Sequence, residues 1–280
     1  MRVVKTIAEV RQIRWDDPAL TWGLVPTMGA LHEGHLTLVR QALMENDRVG
    51  VSIFVNPIQF NRRDDLEKYP RPIERDLDML RTAGVHLVWT PDETEMYPAS
   101  FQTYVAVENV TQVLEGASRP GHFKGVATVV SKLFNVFQPT RAYFGQKDAQ
   151  QVAVIRQMVR DLAFNLEIIA CPTLRESDGL AMSSRNVRLN PAERTAATVL
   201  YRALTAAKNE WEAGQREADH LRATMQQAIE AEPLAKIDYV SVADPISLQE
   251  LNGPVEKALL SMAVFMGEVR LIDNVIIGVA

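Results

Sequence analysis

At 280 residues the chain can form one large domain or two modest ones, and 47% hydrophobic with 23% charged residues is an ordinary balance for a soluble globular protein. A formal net charge of −5 supplies no basic field for DNA or RNA, and the apolar runs are far too short to cross a bilayer. The start Met1-Arg2-Val3-Val4-Lys5 lacks the apolar core of a secretory signal, and the single cysteine, Cys171, forms no internal disulfide, so a cytoplasmic protein with neither nucleic acid nor membrane as partner is expected.

The first strong strand signal is the apolar run Trp22-Gly23-Leu24-Val25. It leads through Pro26-Thr27-Met28-Gly29-Ala30-Leu31-His32-Glu33-Gly34-His35 into an amphipathic helix over His35 to Met44. A strand, a Gly-containing turn and a helix with two histidines at its mouth suit a nucleoside triphosphate. The helix N-terminus offers unpaired N–H groups and the positive end of its dipole. The imidazoles add hydrogen bonds to phosphate, and Gly34 leaves room for a base or ribose against the backbone. Histidines that merely cap the helix would show the same spacing.

Val49 to Val55 is a continuous apolar run of the kind buried in parallel sheets. Asn56-Pro57-Ile58-Gln59-Phe60 follows it. Amides at a strand's carboxyl end can hold the hydroxyl and carboxylate groups of a small polar substrate, and Asn-Pro also builds plain turns. Asp64-Asp65 and Glu74, Asp76 and Asp78 offer carboxylates to magnesium, although acidic residues on an exposed helix face are more often just solvated. Ile73 to Ala83 has helical spacing and ends at Gly84, Val85 to Trp89 reads as a buried strand, and Gln102 to Val107 alternates like an edge strand.

Glu115 to Gly125 is a Gly-containing stretch with three potential cations, Arg119, His122 and Lys124, open to anion binding or to simple solvation. Lys124 to Phe137 is a strong helix closed by Pro139. Arg141 to Phe144 is a short strand, Gly145 permits a tight turn, and Lys147 can reach a phosphate. Asp148 can cap the helix Ala149 to Asp161, hold a metal or accept from a ribose hydroxyl, and Gln151 lies one turn on. Asn165 to Ala170 is again a strand. Cys171 has no activating base nearby in sequence and reads as buried filler, and Trp15, Trp22, Trp89 and Trp211 read as packing residues. Repeated strand–helix alternation argues for a doubly wound α/β sheet with ligands beyond the carboxyl ends of its strands.

After Asn190 the pattern changes. Pro191 opens a long helix to Gly214 with Asn190 as its N-cap, and a second helix runs to about Ile229. Strands are expected over Lys236 to Val242, Ala258 to Phe265 and Leu271 to Ile277, which makes a smaller α+β domain. The boundary falls in the polar stretch 175–190, giving domains of residues 1–175 and 176–280. That stretch holds Asp178-Gly179-Leu180-Ala181-Met182-Ser183-Ser184-Arg185-Asn186, whose hydroxyls and guanidinium can fold over a triphosphate or serve only as a linker.

Taken in order, residues 25–35, 51–60, 114–123, 144–148 and 178–186, with the ending Arg270-Leu271-Ile272-Asp273-Asn274, resemble the pantothenate synthetase (pantoate–β-alanine ligase) family. That family is part of a wider group with a HIGH-type first motif, here His32-Glu33-Gly34-His35, and a KMSKS-type second, here Met182-Ser183-Ser184-Arg185, with Arg185 where lysine is common. The resemblance implies a Rossmann-like N-terminal domain, a C-terminal lid domain, a homodimer, ATP as substrate and Mg2+ with ligands unknown. It implies ATP-dependent joining of (R)-pantoate to β-alanine through a pantoyl adenylate. It assigns the ATP site to Met28, Gly29, Ala30, Leu31, His32, Glu33, Gly34, His35, Gly145, Gln146, Lys147, Asp148, Leu174, Met182, Ser183, Ser184 and Arg185, with His35 catalytic. It assigns pantoate to Gln59 and Gln151, with Asn56 and Arg119 in support. A nucleotidyltransferase of the wider group and a non-catalytic nucleotide-binding module are the alternatives.

Overall fold

The computed structural model describes residues 1–61 and 66–278, so Asp64 and Asp65 lie outside the described residues. Two compact units emerge. The first is Met1–Glu108, Arg119–Gly145 and Val154–Pro172, and the second is Asn109–Ser118, Gln146–Ala153 and Thr173–Ala280.

The first unit is built on a parallel sheet of β1 (Arg2–Val4), β2 (Trp22–Thr27), β3 (Arg48–Ile53), β4 (Leu87–Trp89), β5 (Arg141–Gly145) and β6 (Glu167–Cys171), in the order β1-β4-β3-β2-β5-β6. Flanking it are α1 (Ile7–Trp15), α2 (Glu33–Glu45), α3 (Ile73–Ala83), the short α4 (Glu93–Met96) and α6 (His122–Phe137). The central strands are apolar on both faces because helices cover both, as in parallel sheets generally. Val25, Leu31, Val39, Val49, Val51, Leu80, Val88 and Tyr143 pack in one buried cluster. α3 spans the expected residues and stops at Gly84, whose φ of +88° makes the left-handed C-cap. Successive strands add outward from β2 on one side and from β5 on the other, so β2 and β5 flank the switch point where such folds bind ligands.

The expected edge strand over Gln102 to Val107 does not form. The Val105 N–H donates to the Thr128 hydroxyl on α6 at 3.0 Å, so a side chain takes the place of a strand ladder there.

The second unit contains α5 (Glu115–Ser118), α8 (Pro191–Ala196), α9 (Val199–Glu212), α10 (Ala218–Glu230) and an antiparallel sheet of β7 (Ala235–Ala243), β8 (Ala258–Met266) and β9 (Val269–Ile277). It has its own core, including Leu200, Leu204, Leu221, Met225, Leu260, Met262 and Leu271. α7 (Ala149–Asp161) contributes its first turn to this unit and the remainder to the first. The single long helix expected from Pro191 is broken at Ala197-Thr198. The Thr195 and Thr198 hydroxyls donate to the backbone carbonyls of Pro191 and Thr195 at 3.1 and 2.9 Å, a competition that weakens helix continuity. Among the described residues no helix is long and apolar enough to cross a membrane.

Candidate active site

After β2 the backbone turns through Gly29 (φ +80°) and Ala30 (φ +51°) before α2 begins. A left-handed alanine needs outside support, and Asp76 on α3 provides it. Its two carboxylate oxygens accept from the Ala30 N–H at 2.7 Å and the Leu31 N–H at 2.9 Å. A Cβ at Gly29 would lie 3.0 Å from the same carboxylate and 3.1 Å from Ile53. Asp76 is 1% exposed, so the expectation of a solvated acidic face fails at this residue: it is a clamp on the loop that precedes the histidines.

His32 is the N-cap of α2 (φ −138°), and its Nδ1 accepts from the Gly34 N–H at 3.2 Å. His35 Nδ1 accepts in turn from the His32 N–H at 3.3 Å, and the rings lie 4.1 Å apart between centroids. Both histidines therefore cap the start of α2. With Nδ1 as acceptor, each neutral ring carries its proton on Nε2, the tautomer that donates from the far edge.

The turn Pro57–Gln59 follows β3. The Tyr97 hydroxyl donates to Asn56 Oδ1 (2.8 Å), Asn56 Nδ2 donates to Gln59 Oε1 (2.9 Å) and to the Gly125 carbonyl (3.1 Å), and Gln59 Nε2 donates to Met28 Sδ (2.9 Å). This chain has a single direction, so Tyr97 fixes how both amides face. Burial raises the Tyr97 phenol well above its ordinary range, which keeps it a donor. His122 Nδ1 donates to the Gln59 carbonyl at 2.8 Å, and its Nε2 lies 3.3 Å from Arg119 Nη1. α6 can approach this turn only because residue 125 is glycine. A Cβ there would fall 2.6 Å from the Ile58 carbonyl oxygen and 2.7 Å from Gln59 Cα.

In the second unit, the turn Gln146–Asp148 presents a half-buried Lys147 whose ammonium lies 3.8 Å from Asp148. Gln151 is half-buried on the first turn of α7, while its neighbour Gln150 is buried and fully bonded. Gln150 donates to the Val110 and Val113 carbonyls, both at 2.8 Å, and accepts from the Glu115 N–H at 2.8 Å. The stretch 174–186 is tightly tied. The Met182 N–H donates to the Leu174 carbonyl (3.0 Å), the Arg185 N–H to the Ser183 hydroxyl (3.2 Å), and Asn186 Nδ2 to the Ala181 carbonyl (3.1 Å). Arg194 pairs with Glu176 (2.6 Å) and Asp178 (2.7 Å), and its guanidinium holds the Asp178 carboxyl below the usual carboxylate range. Lys147, Ser183, Arg185, Asn186 and Asp273 share a small cleft with Leu180, Ala181, Leu200 and Leu271, and the two cations and the hydroxyl there can meet an anion. Ser184 is half-buried beside them in sequence.

The structure thus brings Met28, Asn56 and Gln59 together, joins His32 to His35 and Arg119 to His122, and gathers Lys147, Ser183 and Arg185. Cys171 is buried and its thiol is pushed up to about 11 by burial and then by Glu45, so it is packing rather than nucleophile. Among the described residues no three His, Cys, Asp or Glu side chains gather as a metal cage. Sequence reasoning offers Asp76 only as a magnesium carboxylate and does not single out Tyr97 or Gln150. Each of the three acts on groups tens of residues away, with no local signature.

A family model for pantoate-beta-alanine ligase matches residues 2–276. The chain belongs to the pantoate-beta-alanine ligase family. It is 58% identical over 279 residues to the pantothenate synthetase of Herpetosiphon aurantiacus, covering 99% of this chain and 100% of that one. The fold matches the crystal structure of pantothenate synthetase from Thermus thermophilus at a TM-score of 0.92, with 48% identity over 98% of this chain and 99% of that one. The ligase from Francisella tularensis, crystallised with beta-gamma ATP and beta-alanine, matches at a TM-score of 0.81 with 36% identity, covering 98% and 97%. Family membership favours ligation over the nucleotidyltransferase and binding-module alternatives.

Proposed function

We propose that this ligase-family chain condenses (R)-pantoate with β-alanine, driven by ATP. A pantoate carboxylate oxygen attacks the α-phosphorus, the bond to the bridging oxygen breaks, and pyrophosphate leaves. The neutral β-alanine amine then attacks the acyl carbon of the adenylate. AMP leaves with the bonding pair, and the amine proton passes to solvent, giving pantothenate. No enzyme nucleophile is needed, because the adenylate is already an activated acyl group. Catalysis rests on positioning and on stabilising phosphate charge.

In this reading His35 is the catalytic histidine, donating from Nε2 to phosphate oxygen with His32 beside it. Met28 through Gly34 line the nucleotide. Gly145, Gln146, Lys147 and Asp148 hold it, with Lys147 on a phosphate and Asp148 near the ribose. Leu174 and Met182, Ser183, Ser184 and Arg185 complete that set. Gln59 holds pantoate and later lies beside β-alanine, Gln151 also holds pantoate, and Asn56 and Arg119 support them. ATP arrives as its Mg2+ complex. By family likeness the ligase is a cytoplasmic homodimer, and residues 1–175 and 176–280 act as nucleotide domain and lid.

The observation that supports this reading best is a full-length family match in which the two histidines sit capped at the mouth of α2, at the sheet's switch point. Product analysis tests it. Incubation with ATP-Mg, pantoate and β-alanine is expected to yield pantothenate with one AMP per product. AMP retained in the product would mean nucleotidyl transfer instead.

A further inference from the structure

The ending Arg270-Leu271-Ile272-Asp273-Asn274 has no role in the reaction as derived so far, yet its polar residues are placed with purpose. Asp273 and Asn274 are 2% and 5% exposed on β9. Adjacent strand residues face opposite sides of a sheet, so two successive buried polar side chains are costly unless both are bonded. Both are. Asp273 receives a bidentate pair from Arg175 (2.6 and 3.0 Å) and the Asn274 N–H (2.8 Å). Asn274 Nδ2 donates to the carbonyls of Gln146 (3.1 Å) and Lys147 (2.9 Å), and its Oδ1 accepts from Gln146 Nε2 (3.3 Å). Arg270 forms a second bidentate pair with Glu115 (2.7 and 2.8 Å), whose N–H is held by Gln150.

We propose that Asn274 is a positioning residue for nucleotide binding: its carboxamide fixes the Gln146-Lys147 backbone and so sets the stance of Lys147 on the cleft that it lines with Ser183 and Arg185. Asp273, which also lines that cleft, does the corresponding work through Arg175. Arg175, held by Asp273 and stacked 4.3 Å over the Tyr201 ring, donates to the Gly179 carbonyl at 3.0 Å, which ties down the stretch leading into Met182 to Arg185. A single strand end thereby sets both the lysine and the serine-arginine side of the cleft. The carbonyls of Gln146 and Lys147 accept the two hydrogens of one amide, a pattern that neither a carboxylate nor a hydroxyl can reproduce.

This inference rests on the proposed nucleotide role of Lys147, and its test uses ATP-Mg binding by calorimetry, which does not depend on the acid substrate. Asn274→Ala is expected to weaken ATP-Mg by about tenfold, the scale of one or two lost hydrogen bonds. Combined with Lys147→Ala, it is expected to add less than about twofold, because Asn274 acts through Lys147 and coupled residues are not additive. A merely structural asparagine would multiply its effect with that of Lys147→Ala. If Asn274→Ala does not fold, Asn274→Ser, whose hydroxyl can serve one carbonyl, carries the same cycle with a smaller loss. Unchanged affinity in either folded variant, or multiplicative effects in the cycle, would overturn the positioning role while leaving the proposed reaction intact. A wild-type protein that bound no ATP-Mg would overturn both.

Discussion

At His35 the local structure is set by one ring nitrogen, Nδ1, which accepts from the His32 N–H. That contact closes the first turn of α2. His35→Ala is expected to lower turnover by ~10²-fold or more, the usual cost of losing a positioned proton donor, in a protein whose far-ultraviolet spectrum is unchanged. Near-normal kcat would remove its catalytic role. Gln59→Ala is expected to raise the KM for pantoate more than that for ATP, and the reverse order would refute the pantoate assignment. Asp76→Asn keeps the volume of the side chain but turns an amide N–H2 toward one of the two backbone N–H groups it now accepts from. It is expected to reduce kcat by about tenfold, since a buried unpaired donor costs ~1–3 kcal/mol and loosens the loop that carries the histidines. Wild-type turnover would show that the loop holds without its clamp. The placement of the histidines, Gln59 and Lys147 just beyond strands β2, β3 and β5 was legible, because an apolar strand signal precedes each. The clamp role of Asp76 was not, because it is visible only when α3 and the loop at Ala30 are brought together.

The elements themselves were mostly readable where an apolar period met a chemical stop. α3 illustrates this, with its periodicity ending at a glycine that adopts φ +88°. The helix α1 went unread, although Thr6 and Glu9 form a capping box there, because its apolar face is thin and two of its nine residues are buried. The break between α8 and α9 was hidden because threonines at 195 and 198 disrupt a helix only through hydroxyls bonded to its own backbone. The close packing of α6 on the Pro57–Gln59 turn depends on Gly125. Gly125→Ala is expected to lower Tm by a few degrees, about 1–3 kcal/mol of overpacking that outweighs the helical preference for alanine. The same variant is expected to raise the pantoate KM, because Gln59 rides on that turn. A melting temperature equal to or above wild type would show that the turn yields without cost.

At the scale of the whole molecule, alternating strands and helices announced the parallel sheet, and a run of helices followed by strands announced the antiparallel one. The strand order was not legible, because pairing between β2 and β5 joins segments more than a hundred residues apart. Nor was the discontinuity of the second unit, which takes Asn109–Ser118 and Gln146–Ala153 from the middle of the chain. Those short segments are held by Gln150, Glu115, Arg270 and Asn274, polar residues whose partners only the fold reveals. The residues proposed for the ligase reaction are drawn from both units. The most direct test of the account is release of pyrophosphate and AMP from purified protein with ATP-Mg, first with pantoate alone and then with β-alanine. Pyrophosphate at no more than about one equivalent per site with pantoate, followed by sustained AMP once β-alanine is present, is the predicted result for tightly held adenylate. Release of pyrophosphate only when β-alanine is already bound, or none under either condition from protein that binds ATP, would contradict it.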